Sequence, residues 1–137
     1  MMKRLLWLDD YRDPFADDWL NFSPIGKHVE VYWVKSYYEF CDWIILNDLP
    51  DAICFDHDLG KTLEIELIKR GVSKKDARKR KGEEKTGYDA AKWLVEWCIN
   101  NKKDIPLWSV QSANPIGREN INTLLNNFLR YQQNNEG

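Results

Sequence analysis

The chain is poor in the residues that most often announce a metal or redox site. It has two histidines and three cysteines in 137 residues. Cys41, Cys54 and Cys98 each fall among apolar residues of an expected helix or strand, at spacings that match no zinc or Cys-x-x-Cys pattern. They read as small buried hydrophobes in a reducing compartment, which leaves no disulfide framework. No apolar run approaches membrane-spanning length, and no charged-then-apolar signal segment opens the chain, so the expectation is a cytoplasmic protein without membrane contact. Neither sign of charge dominates. The formal net charge of -2 says nothing about nucleic acid, and only the local distribution can.

What is present is an ordinary globular balance, 43% hydrophobic and 31% charged, enough for one domain over residues 1–137 with a real core. Seven tryptophans point to a core built on large side chains. The most informative stretch is Asp51–Gly60. After Pro50, the apolar run Ala52-Ile53-Cys54-Phe55 ends abruptly in Asp56, His57 and Asp58. Such a run reads as a strand buried on both faces. Polar groups at its carboxyl end stand where ligands bind in open α/β sheets. A second strand, Lys3–Leu8, runs into Asp9-Asp10 in the same way.

The remaining elements alternate. Asp17–Phe22 reads as a short helix or irregular segment, and His28–Val34 as a strand. Ser36-x-x-Glu39 opens a helix in capping-box form, and Pro50 follows its end. The strand expected over Asp51–Leu59 comes next. From residue 60 to 86 the character changes to a basic insertion. A short helix around Leu63–Ile68 leads into the cationic run Lys69–Lys85, interrupted by Gly71 and Gly82 and read as a lid. Thr86-x-x-Asp89 caps a further helix, Ile105–Val110 is a fourth strand, and Asn114-Pro115 opens a last amphipathic helix. The tail from Gln132 to Gly137 is expected to fray. Strands alternating with helices predict a three-layer α/β fold with a parallel sheet of four strands in the order 2-1-3-4. No fifth strand is found.

Asp9, Asp10, Asp56 and Asp58 would converge at one sheet edge, where like charges raise one another's pKa. A hard divalent ion such as Mg²⁺ or Mn²⁺ is the natural partner, while some of these residues have an alternative role as caps of turns and helices. His57, between two acids, is a candidate general acid or metal ligand, or a residue that only bonds backbone. His28 is read as structural. Arg12 and Arg118 follow strand ends and suit phosphate, or alternatively hold acidic loops. Asn114 is either a substrate contact or only an N-cap. The run Lys69–Lys85 is a candidate polyanion contact or a solvated face. It has no interleaved aromatics, so base stacking is not indicated there.

An acidic pair after the first strand and an aspartate after the third resemble the response-regulator receiver pattern. That resemblance implies a metal pair in Asp9 and Asp10 and a phosphoacceptor in Asp56, with Ser109 or Ser112 as the hydroxyl residue after the fourth strand. Receivers also need a lysine after a fifth strand, which this chain lacks.

Four blocks together are closely similar to the cyclic-phosphate processing receiver domain family, found in bacteria and phages. They are Leu8-Asp9-Asp10-Tyr11-Arg12-Asp13-Pro14, Phe55-Asp56-His57-Asp58-Leu59-Gly60, Thr86-Gly87-Tyr88-Asp89 and Ser112-Ala113-Asn114-Pro115-Ile116-Gly117-Arg118. That family commonly has a histidine just before the Ser-x-Asn-Pro block, where this chain has Gln111.

The resemblance implies a metal-dependent phosphoesterase acting on cyclic or terminal phosphates of nucleotides or RNA. Asp9, Asp10 and Asp56 would hold the ion, His57 with Asp56 and Asp58 would form the catalytic group, and Arg12, Arg118, Ser112 and Asn114 would hold phosphate. The rival readings are a signalling module phosphorylated on Asp56 and a non-catalytic nucleotide or nucleic-acid binder.

Overall fold

The structure is a computed structural model that describes residues 2–135. Strands β1 (Arg4–Leu8), β2 (Glu30–Val34), β3 (Ala52–Phe55) and β4 (Leu107–Val110) form one parallel sheet in the order β2-β1-β3-β4. The helices are α1 (Tyr37–Asn47), α2 (Lys61–Lys69), α3 (Lys74–Gly82), α4 (Gly87–Asn101) and α5 (Pro115–Asn135). This is the expected receiver-like α/β fold, and no fifth strand occurs among the described residues.

Strand alternation decides the two faces. Leu6, Leu8, Ile53, Phe55 and Val110 face α1, α4 and α5, which contribute Phe40, Ile44, Leu94, Ile121 and Leu125 to the larger core. Leu5, Trp7, Ala52 and Cys54 point the other way. They are covered by Trp19, Leu20 and Ile25 of the long β1–β2 connection, whose only regular element is a 3₁₀ turn at Trp19–Phe22. The layer on that face is therefore a tryptophan-bearing loop rather than a row of helices. All three cysteines are free and buried.

The crossovers leave the sheet on opposite sides of the β1/β3 boundary. β1 continues to β2 on one edge and β3 to β4 on the other, which opens a crevice beyond the carboxyl ends of β1 and β3. Backbone bonds hold its floor: Asp56 N–H donates to Leu8 O at 2.9 Å and Gln111 N–H to Phe55 O at 3.0 Å.

Several boundaries differ from the sequence reading. β2 begins at Glu30 rather than His28. β3 ends at Phe55, so Asp56–Gly60 is loop rather than strand. β4 begins after Pro106, which has no N–H for a ladder.

The basic run carries a helix of its own. It folds as α3, capped by Ser73, whose hydroxyl accepts from Asp76 N at 3.2 Å. Gly71 turns the chain from α2 into α3 at φ 93°, while Gly82 is the last helical residue rather than an interruption. Ala77 is the one buried residue of α3. α5 continues through the stretch expected to fray, because the Gln132 amide bonds Ile105 N–H (3.1 Å) and Lys103 O (2.9 Å). The frayed end expected at residues 136–137 lies outside the described residues.

Candidate functional site

Each acid of the crevice is placed by its own backbone. Asp9 ends β1 and turns back: its Oδ1 accepts from Tyr11 N (2.9 Å) and Arg12 N (2.8 Å), and its carbonyl takes the Trp33 indole N–H at 2.6 Å. Asp10 ties the site to the start of α2, with Oδ2 accepting from Thr62 N at 2.8 Å and its carbonyl from the Thr62 hydroxyl at 2.6 Å. Asp56 leaves β3 beside Gly87. A Cβ on residue 87 would collide with the Asp56 carbonyl, and Gly87 N–H donates to His57 O at 2.8 Å. Only glycine at the start of α4 lets that helix pack down on this turn.

Asp9, Asp10 and Asp56 are all buried, and one carboxylate oxygen from each lies within 4.8 Å of the others. Burial, then the charge of Asp9, and further those of Asp10 and Asp58, push Asp56 up to about 7 against the opposing pull of Arg12. Asp10 is also raised, chiefly by burial, although Thr62 donates to it.

Arg12 is the only cation on the triad among the described residues. Its Nη1 lies 3.2 Å from Asp9 Oδ2 and 3.4 Å from Asp56 Oδ1, with its guanidinium 5.0 Å from the Trp19 ring centre. One cation against three buried carboxylates is not enough, and Asp10 Oδ1 is buried with no hydrogen-bond partner. A buried carboxylate oxygen without a partner, on one of three clustered carboxylates, fits a hard divalent cation. The residues present therefore suit Mg²⁺ or Mn²⁺.

Above the triad is a cleft of about 130 Å³, whose walls bring in Asp58, Ser112, Lys61 and Lys81. Sequence reasoning missed Lys61 altogether and read Lys81 only as part of a basic run. Lys81 arrives because the end of α3 packs on Gly60, where a Cβ would meet Lys81 Cγ at 2.6 Å and its carbonyl oxygen at 2.9 Å. Glu64 holds its ammonium at 3.4 Å. The adjacency of Lys61 to the Asp-His-Asp-Leu-Gly block was the available signal. Lys81 had none, because its approach is tertiary. Gln111, standing after β4, turns inward: its Nε2 donates to Leu8 O at 3.0 Å, and its Oε1 is buried without a partner.

Three expected site residues stand behind the cleft rather than in its wall. The His57 ring lies against Gly117, where a Cβ would come within 2.6 Å of its Cδ2, and its Nδ1 bonds Asp58 Oδ1 at 2.9 Å. Arg118 Nη1 donates to Ser112 O at 3.2 Å. Asn114 caps α5, accepting from Gly117 N at 3.0 Å, while Ser112 Oγ accepts from Asn114 N at 3.1 Å. Arg118 and Asn114 thus brace the Ser112 turn. Asp58 is the member of the His57–Asp58 pair that reaches the cleft.

A parallel sheet of order 2-1-3-4 with an acidic triad at the carboxyl ends of β1 and β3 defines a receiver-like domain. The chain belongs to the family of the cyclic-phosphate processing Receiver domain, which matches residues 4–127. No curated protein matches the chain. Among solved structures it is similar to a chain described as the yeast Spc42 trimeric coiled coil, amino acids 181–211, fused to another structure. The identity is 16%, the match covers 98% of this chain and 82% of the other, and the TM-score is 0.49. No helix among the described residues is long and apolar enough to cross a membrane.

Proposed function

We propose that the protein is a divalent-metal-dependent phosphoesterase that opens or removes cyclic or terminal phosphates on nucleotides or RNA ends. The observation that carries this reading is the buried, unpartnered Asp10 Oδ1 beside Asp9 and Asp56, under a cleft walled by Lys61, Lys81 and Arg12. Carboxylates below and cations around a small opening are what a metal-bridged phosphate requires. Membership of a cyclic-phosphate processing family supports the same substrate chemistry.

Asp9, Asp10 and Asp56 would hold Mg²⁺ or Mn²⁺, and the bound ion would polarise the phosphoryl group and lower the pKa of a nucleophilic water. Arg12, Lys61, Lys81 and the Ser112 hydroxyl would bind phosphate oxygens, with Arg118 and Asn114 holding the Ser112 turn in place. Asp58, oriented by His57, would carry the proton at the cleft wall.

The basic helix α3 borders the cleft and is the surface on which a longer polyanion, such as an RNA end, would lie. The reading takes residues 1–137 as one domain with 60–86 inserted. A reducing, cytoplasmic compartment suits its three free thiols.

The test is turnover of a panel of 2′,3′-cyclic phosphates, 3′,5′-cyclic nucleotides and linear phosphate esters, with Mg²⁺ or Mn²⁺, by wild type and by Asp56→Asn. Ion-dependent turnover lost in the variant is the expected result. Stable phosphorylation of Asp56 by a small phosphodonor, with no turnover of the panel, would overturn the reading in favour of a signalling module.

A further inference from the structure

A second, wider cleft of about 470 Å³ adjoins the phosphate cleft, and Tyr11, Arg12 and Lys61 line both. At about 130 Å³ the phosphate cleft lies below the roughly 300–1,000 Å³ of ordinary ligand pockets, while its neighbour falls within that range. A phosphate fits the first. The remainder of a phosphorylated molecule must then leave it, and the shared residues make the second cleft a continuous way out.

The wall chemistry of this second cleft is specific. It is lined by two aromatic residues, Tyr11 and Trp19, and two carboxylates, Asp13 and Asp17; the Trp19 ring already stacks on Phe22 at 5.9 Å and carries the Arg12 guanidinium, so the ring that can take a base is Tyr11. Tyr11, directly after the buried Asp10, is 54% exposed, and Lys61 Nζ stands 4.7 Å from its ring centre. Asp13 uses Oδ1 to cap its own turn, accepting from Phe15 N at 2.9 Å, which leaves its other oxygen free to accept. The neighbouring cleft on the other side of the phosphate site is lined by Leu59, Gly60, Arg78 and Lys81 with no aromatic ring, so the Arg78 guanidinium is its one planar group. Aromatic faces take planar rings, and carboxylate oxygens take the amino donors of guanine, adenine or cytosine, which uracil lacks.

We propose that the Tyr11–Trp19 cleft is a nucleobase subsite, selective for bases that carry an amino group, and that it makes a nucleoside phosphate the substrate. The inference deepens the phosphoesterase reading and rests on it for the position of the phosphate. Arg12 is the hinge between the two clefts, with its guanidinium on the carboxylates on one side and over Trp19 on the other.

The test compares guanosine 2′,3′-cyclic phosphate, uridine 2′,3′-cyclic phosphate and base-free ribose 2′,3′-cyclic phosphate on the full chain with Mg²⁺. Affinity is read by calorimetry and KM where turnover occurs. In parallel, guanosine without phosphate is titrated at millimolar concentration against the Trp19 indole NMR signal. The base-free compound is expected to bind at least about fivefold more weakly than the guanosine compound, as loss of one base–aromatic stack requires. Uridine should fall between them. Tyr11→Ala should remove the difference, with Mg²⁺ binding as its folding control.

Equal affinity for the base-free and guanosine compounds, with the indole signal unmoved by guanosine, overturns the subsite even if turnover upholds the phosphoesterase. Guanosine shifts at Trp19 that Tyr11→Ala abolishes uphold the subsite even if no cyclic phosphate is turned over, a result that sinks the phosphoesterase reading alone.

Discussion

The Asp56 carbonyl occupies the space that a side chain on residue 87 would need. The turn that presents the buried acid and the first turn of α4 are therefore packed backbone to backbone. Gly87→Ala must push the two apart, and overpacking of this kind costs about 1–3 kcal/mol or more. Urea denaturation should show that loss, and calorimetry should show weaker Mg²⁺ binding, because Asp56 moves with its turn. Unchanged values for both would mean that the contact relaxes freely.

Titration of Asp56 gives the metal-free protein an inverted pH profile. Its pKa is raised by burial from 3.8 to about 7, so the folded state holds a proton that the unfolded chain has already released. Stability from this group is fully present below about 4 and falls as pH rises towards about 7, by on the order of a few kcal/mol. Chemical denaturation in EDTA between pH 4 and 8 measures the fall, and Asp56→Asn should flatten it. Mg²⁺ must displace the same proton, so its affinity should climb through pH 7 with proton release, read as a buffer-dependent heat.

Arg12 stands in for part of the cation charge that Asp9 and Asp56 need. With the guanidinium about one-fifth exposed, Arg12→Gln should destabilise the metal-free protein by about 1–3 kcal/mol, less than a fully buried pair would lose. Mg²⁺ should then raise the Tm of the variant more than that of wild type. An equal Tm rise in both would show that the carboxylates do not depend on Arg12.

Gly60 separates the role of the lysine from that of the metal. Gly60→Ala forces the end of α3 away from the cleft through Lys81. Removal of Lys81 by Lys81→Ala deletes the ammonium outright. Both should raise KM for a phosphate substrate roughly tenfold, the scale of one charge-assisted hydrogen bond, and leave Mg²⁺ affinity near that of wild type. A fall in Mg²⁺ affinity instead would place Lys81 in support of the triad.

Much of the site was legible in the chain. Two apolar runs that end in acids, Leu5–Leu8 into Asp9-Asp10 and Ala52–Phe55 into Asp56, are visible because a parallel strand must be apolar on both faces and cannot hide a carboxylate. The alternation of strands with helices carried the parallel sheet and its order, and the Ser36, Thr86 and Asn114 motifs carried the helix starts. α3 was not legible, because a helix with Ala77 as its one buried residue has no apolar stripe to read.

Only the tertiary structure decided which cations reach the acids. Lys81 is brought in by a glycine contact across the loop after β3, Arg12 is aimed by the Asp9 turn, and His57 is held behind the wall against Gly117. Nor could spacing show that Asp10 Oδ1 lacks a partner. Strand and helix identity follow from local period and propensity, which sequence carries. The position of a long side chain and the satisfaction of a buried oxygen depend on residues far away in the chain, which meet only when the chain is folded.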